Sequence, residues 1–326
     1  MKFFSNPNYD FVRWRWHAIT LSLVVILAGA AVIGTRGLQK GVDFEGGTIV
    51  IAKFDTPKRI EEVRAAITSG VAGGGDAVVQ DYGPTGSGTV MIRVRRTGHE
   101  SGGELSSEAE AVINALKKSN LGNFSVAGTE IVGPIVGEQL RRQGILATVL
   151  ALAGIMTYIA LRFQLSFAVG AIAATLHDLL VCLAFLAFFR YDLTLNVIAG
   201  LLTITGYSVN DTIVIFDRVR ENTRGVRRGE NLAAVVNTAV NQTLSRTIIT
   251  AGTTLLSVIA LYLFGGDVLE GFAFTMLVGI ISGTYSTVFI AAAIAIMLQG
   301  RKPVRGQMAT AAAPETTRKP GRRRAS

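Results

Sequence analysis

The chain has 326 residues, 49% of them hydrophobic and 17% charged, with a formal net charge of +9. Its mean hydropathy of +0.42 is too high for a soluble globule, and the apolar residues fall in separate runs instead of one core. The one cysteine, Cys182, excludes a disulfide framework and a thiolate metal site.

Six runs approach the ~20 residues that cross a bilayer: 18–35, 145–161, 167–189, 195–216, 247–264 and 272–298. The first follows basic residues and contains Ala28, Gly29 and Ala30, as a cleaved signal peptide would. It nevertheless continues through Ala31, Val32 and Ile33 with no clear cleavage boundary, and reads as a transmembrane helix over 18–36 after an N-terminal segment 1–17.

Residues 37–142 have the patterning of a soluble domain of about 100 residues, enough for a small core. A β-rich run covers 48–54. A helix is predicted over 56–69, with Thr56 as N-cap, Pro57 in the first position and Glu61 and Glu62 in the first turns. Strand candidates at 77–82 and 89–96 flank the turn-rich segment 83–88. A second helix opens at Ser106 or Ser107 and runs to Lys118, with Leu105, Ala109, Val112, Ile113 and Leu116 on one face, and a last strand covers 124–132. The order βαββαβ is ferredoxin-like. The fold class is thus an α-helical polytopic membrane protein of six transmembrane helices with an α+β ferredoxin-like external domain.

Helices two to six occupy 143–300. Between the fourth and fifth lies segment 217–246, where Asn231 can cap a helix with Leu232, Val235, Val236, Ala239, Val240 and Leu244 three or four apart. That spacing predicts either an amphipathic helix along the inner membrane surface or a plain connector. The tail 301–326 is basic, without periodicity, and predicted to be disordered.

Orientation follows from Lys and Arg. Segment 217–246 carries Arg218, Arg220, Arg224, Arg227, Arg228 and Arg246, whereas the short loops 190–194 and 265–271 share only Arg190. The positive-inside rule therefore puts both termini in the cytoplasm and 37–142 outside, with the chain multi-pass in a cytoplasmic membrane. Basic and acidic side chains nearly balance in the external domain, so the sequence pI of about 9.9 reflects topology and attraction to anionic membrane lipids, and nucleic acid is a poor partner.

Ionisable residues within spans are costly and ask for a reason. Asp211 lies in the fourth span, with apolar residues resuming at Ile213; the alternative is that the span ends early and solvates it. Arg246, opening the fifth span at the same membrane face, is its natural partner, and Asn210 is its neighbour. An Asp–Arg pair would admit both charges to the membrane interior, and protonating Asp211 would release Arg246, making a two-state switch. His177 and Asp178, midway along the third span, suit a proton relay or an interhelical hydrogen bond. Ser208, Thr203, Thr205, Ser245, Thr247, Thr250, Thr253 and Thr254 add groups that cross-link helices or line a wet path. Gly279 and Gly283 form a GxxxG packing motif in the sixth span.

No metal-ligand spacing, nucleophile–base pair or phosphate-cradling loop is visible; Gly73–Gly75 and Gly102–Gly103 read as flexible loop residues. No cofactor or metal is expected, and no enzymatic activity.

The ordered motifs GVDFEGG (residues 41–47), GPIVG (133–137), YIALRF (158–163), His177-Asp178, GYSVNDTIVIFDRVREN (206–222) and SRT (245–247) together resemble the SecF family. The resemblance covers nearly the whole chain except the tail and the glycines at 73–75. It implies an accessory subunit of the bacterial Sec export machinery that pairs with SecD as a heterodimer. Such a subunit acts with the SecYEG channel on a translocating polypeptide, uses the proton gradient, and looks like half of a resistance-nodulation-division transporter. It carries ion coupling onto Asp211 and Arg246 and gives a motif-structural role to Gly41, Asp43, Gly46, Gly47, Gly133, Pro134 and Gly137. A small-molecule or lipid exporter of the same superfamily and a passive scaffold of the export channel are the competing expectations. The exporter needs a substrate cleft, for which one external domain of this size is expected to offer little room.

Overall fold

The computed structural model describes residues 8–71, 74–82, 86–94, 105–132, 134–224 and 231–299. The tail 301–326, Gly133, Gly73, Gly102, Gly103, Arg227 and Arg228 lie outside the described residues.

Helix α1 (Arg15–Arg36) is followed by a single turn, α2 (Val42–Glu45), and by the sheet domain. That domain contains β1 (Gly47–Phe54), α3 (Ile60–Gly70), β2 (Val78–Asp81), β3 (Thr89–Val94), α4 (Leu105–Lys118) and β4 (Phe124–Val132). Its four strands are antiparallel in the order β2-β3-β1-β4, the ferredoxin-like arrangement expected from βαββαβ. Alternation sorts the two sheet faces. Val50, Ala52, Val90, Ile92 and Val94 meet Val63, Ile67, Val112 and Leu116 of α3 and α4 in one core, while Ile49, Ile51 and Met91 line the opposite face.

Helix α3 begins at Ile60, four residues later than Thr56. Its N-cap is Arg59, extended and without a side-chain cap bond. The backbone before it is held elsewhere: Phe54 N–H donates to Gly88 O at 2.8 Å, and Gly88 approaches Pro57 closely at φ +69°, a conformation that suits glycine. Tertiary docking of this segment onto the β2–β3 turn displaces the expected cap.

The membrane part comprises α1, α5 (Pro134–Arg162), α6 (Leu165–Phe189), α7 (Leu195–Arg224), α8 (Leu232–Phe264) and a last span made of α9 (Asp267–Ser286), a π-helical turn (Thr287–Ala291) and α10 (Ala292–Gln299). All six are long and apolar enough to cross a membrane. Helices α6, α7 and α9 form the buried centre, and α5 and α8 turn most of their apolar surface outward. Segment 231–246 is not a separate surface helix: it forms the first turns of the 33-residue α8. No proline interrupts the run after Asn231, whose Oδ1 caps it by accepting from Ala233 N–H at 3.1 Å. The expected apolar stripe is used all the same, with Leu232, Val235, Val236, Ala239 and Val240 buried in the core.

The YIALRF motif has a structural explanation. Arg162, at the end of α5, is paired with Asp217 of α7 at 2.8 Å, and Phe163 packs edge-on against Phe216.

Candidate functional site

Asp211 sits on α7 facing α8. Its Oδ1 accepts a hydrogen bond from Thr247 Oγ1 at 2.9 Å, and its Oδ2 is buried with no hydrogen-bond partner. Arg246 makes no direct ion pair with Asp211; its side chain is exposed, although its charge still acts on the Asp211 carboxyl, and Thr247 is buried. Successive helical residues point about 100° apart, so Thr247 takes the hydrogen bond to Asp211 while Arg246 lies at the edge of the α7–α8 seam. Asn210 is exposed as well. Thr250 and Thr253 continue this exposed polar strip along α8, with Thr254 half-buried beside them, each donating to a carbonyl of its own helix three or four residues back.

Ser208, three residues before Asp211, belongs to a different centre. Asp178 is 1% exposed and accepts four hydrogen bonds. His177 Nδ1 (3.0 Å) and Ser282 Oγ (2.7 Å) reach its Oδ1; Ser208 Oγ (2.5 Å) and Ser286 Oγ (2.8 Å) reach its Oδ2. Three helices, α6, α7 and α9, are thereby tied at one carboxylate. Ser282 and Ser286 were missed by sequence reasoning, although two serines one turn apart in an apolar span are a usable signal. His177 lies 6.1 Å from the ring of Tyr285, whose hydroxyl donates to Ala18 O at 2.6 Å and so connects α1 to the same region.

Close packing brings these elements together. A Cβ at Gly279 would collide with Ile204, and one at Gly283 would lie 3.1 Å from Ser208 Cβ, so the GxxxG motif is the seam between α9 and α7. Just beyond Ser286, Thr287 of the π-helical turn shares a hydrogen bond with Thr212 at 3.0 Å.

The GVDFEGG motif lies where the sheet domain meets the α6–α7 turn. Gly46 and Gly47 have φ +70° and +128°, which turn the chain from α2 into β1. Gly41 leaves no room for a Cβ, which would lie 2.8 Å from Thr194 Cγ2, and a Cβ at Gly137 would lie 3.1 Å from Gly46 N. Asp43 Oδ2 accepts from Leu195 N–H at 2.8 Å. Pro134 opens α5 in the first helical position.

Contrary to the expectation of little room, a cleft of about 1180 Å³ lies between the second sheet face and the adjoining turns of the membrane helices; its lining includes Ile49, Met91, Glu130, Tyr191 and Glu270. Partial burial and the charge of Asp43 raise the Glu130 carboxyl above its ordinary value, and burial with hydrogen bonds to Tyr262 and Glu270 raises the Tyr191 hydroxyl. Among the described residues, no group of three or more His, Cys, Asp or Glu side chains could hold a metal ion.

Two family models match the chain: the C-terminal region of the SecD/SecF protein-export membrane proteins over residues 111–301, and the SecD/SecF GG motif over residues 31–58. The protein translocase subunit SecF of Vibrio alginolyticus is 40% identical over 294 residues, covering 90% of this chain and 91% of that one. The Pseudomonas aeruginosa subunit of the same name is 42% identical over 292 residues. In structure, the chain is similar to crystalline SecDF of Thermus thermophilus, described as a translocon-associated membrane protein, at TM-score 0.79 and 31% identity over 90% of this chain. It spans 39% of the length of that SecDF chain.

Proposed function

Because the chain belongs to the SecD/SecF family of protein-export membrane proteins, and within it to the SecF subunits, we propose that it assists the Sec machinery by coupling an ion gradient, the proton gradient first, to export of preproteins across the cytoplasmic membrane. The observation that supports this reading is the state of Asp211. It holds one donor, Thr247, and one buried oxygen without a partner, beside a face that exposes Asn210 and Arg246. Arg246 stands 18 residues, or about 27 Å, before the outer end of α8. That position is about 3 Å inside the inner boundary of the ~30 Å hydrocarbon layer, where a long Arg side chain can reach the interface. A face that exposes Asn210, Arg246 and Thr250 beside a carboxyl suits a protein neighbour better than lipid, and SecD is the partner proposed for it. A proton arriving at the free oxygen of Asp211 changes its bond to Thr247 and its field at Arg246, and helix movement follows. Asp178, with four donors already in place, fits the packing alternative better than the relay.

In this proposal both termini are cytoplasmic, the sheet domain is outside, and the working partners are SecD, the SecYEG channel, the moving polypeptide and membrane lipid. The subunit performs no covalent chemistry. The test is export into inverted vesicles with ΔpH and the Na⁺ gradient collapsed separately, for the native chain and Asp211→Asn. Loss of gradient-stimulated export in a variant that still assembles is expected; unchanged stimulation would leave a passive scaffold. The cleft keeps the exporter reading testable by the same vesicles, since an exporter leaves preprotein movement indifferent to both gradients.

A further inference from the structure

The chain itself ties the external domain to only two membrane helices: β1 follows α1 by way of α2, and α5 follows β4. Neither α1 nor α5 carries Asp178 or Asp211. The connection to α7 is instead non-covalent, and it is built from several contacts at one place. Gly41 N–H donates to Leu193 O at 2.7 Å and Leu193 N–H to Gln39 O at 2.8 Å, so Lys40 and Leu193 pair as an isolated parallel bridge. Arg93 of β3, 2% exposed, is ion-paired with Asp192 in the α6–α7 turn, and its Nη1 donates to Lys40 O at 3.0 Å.

The first N–H groups of a helix lack partners within it. Thr194 Oγ1 satisfies that of Val197 from within the same turn, at 3.2 Å, but that of Leu195 is satisfied by Asp43 from the external motif. Asp43 is therefore a cap supplied across 152 residues of sequence. The absence of a side chain at Gly41 lets the two backbones approach this closely.

Leu195 and Asp211 stand on one continuous helix, 16 residues or about 24 Å apart. A helix transmits axial displacement over that distance, and the joint receives it at the point where Gly46 and Gly47 lead directly into β1. We propose that the joint formed by Lys40 to Asp43, Asp192 to Leu195 and Arg93 stays closed during the working cycle and is the element through which α7 drives the external sheet. Asp43 is its positioning residue. This inference rests on the reading of Asp211 as the coupling carboxylate.

The experiment measures, in vesicles holding the full export complex, the ratio of preprotein export with the gradient to export without it. Asp43→Ala removes the distant cap, and the ratio is expected to fall to near one. Asp43→Asn keeps an oxygen acceptor and is expected to retain the native ratio within about twofold, since Asn caps as well as Asp. A second arm joins Lys40→Cys to Leu193→Cys by oxidation; the native Cys182 is buried and does not compete. The cross-linked protein is expected to keep its stimulation, and this arm is decisive even where Asp43→Ala fails to accumulate. Full stimulation in Asp43→Ala, or its loss on cross-linking, would overturn the joint. Asp211→Asn in the same vesicles separates the two levels: if it keeps the native ratio, the coupling reading itself fails, whereas if it loses stimulation and Asp43→Ala does not, only the joint fails.

Discussion

Two carboxylates on neighbouring spans receive opposite treatment. Asp178 lies between α6, α7 and α9, 1% exposed, with donors on both oxygens from His177, Ser208, Ser282 and Ser286. Asp211, three residues along α7 from Ser208, has Thr247 on one oxygen and no partner on the other, and its neighbour Asn210 is exposed. Both face the cost of burying a charge, which hydrogen bonds offset in proportion to their number. A saturated carboxylate fixes the helices that supply its donors. An undersupplied one is left able to change partners, which is what a switch needs and a packing lock does not.

The largest expected effect tests this difference directly. Asp178→Ala leaves three buried serine hydroxyls and a histidine without their acceptor, at a cost on the order of 3–5 kcal/mol. Asp211→Ala removes one hydrogen bond and is expected to cost about 1 kcal/mol. Thermal unfolding of the purified protein in detergent measures both. Equal losses would mean that the two sites are alike, and the contrast would fail.

Asp211 could be read from the chain because a charge within an apolar run is conspicuous in one dimension. Of the donors of Asp178, His177 and Ser208 could be named as candidates, and the two serines of α9 were not. Ser282 and Ser286 lie 104 and 108 residues away, and nothing local shows that α9 presents them to α6. The same limit explains Arg246: its place at the start of the antiparallel fifth span suggested an ion pair with Asp211, but the hydrogen bond goes to Thr247 and Arg246 acts on the carboxyl through its charge alone. The βαββαβ order and the six spans were legible from periodicity and apolar length, whereas element starts were not where distant chain intervenes, as at Pro57 beside Gly88 or Leu195 beneath Asp43. The motif glycines at 41, 46 and 47 were visible as a pattern; their reasons, a close backbone approach to Leu193 and Thr194 at Gly41 and positive φ at Gly46 and Gly47, required the fold.

A smaller effect sharpens the comparison at the level of single donors. Ser282→Ala takes one donor from Asp178 and leaves His177 on the same oxygen, so it is expected to cost about 0.6 kcal/mol, the average for hydrogen bonds between membrane helices. Thr247→Val keeps the shape of the side chain but strips Asp211 of its one donor from this chain, and up to ~1.7 kcal/mol is expected. The two variants should also diverge in function: gradient-stimulated export is expected to shift with Thr247→Val and to hold with Ser282→Ala. The same response from both would place Asp178 and Asp211 in one network after all.

The smallest effect concerns a third carboxylate, outside the membrane, where partial burial and the nearby Asp43 charge raise Glu130 without supplying a compensating partner. On β4 it stands opposite Ile49, on the sheet face that lines the cleft. The folded state thus holds this proton more tightly than the unfolded chain does. Its contribution to stability is complete below the ordinary glutamate value of 4.5 and is lost as the pH rises through the raised folded value. Glu130→Gln, neutral at every pH, should track the native protein in acid and become slightly the more stable as the pH climbs past that window. Unfolding curves of the two proteins between about pH 4 and 7 measure the divergence. Asp43→Asn should narrow it by removing the second of the two causes, and a gap that opened on the acid side instead would mean that Glu130 gains a favourable partner on folding, as Asp178 does.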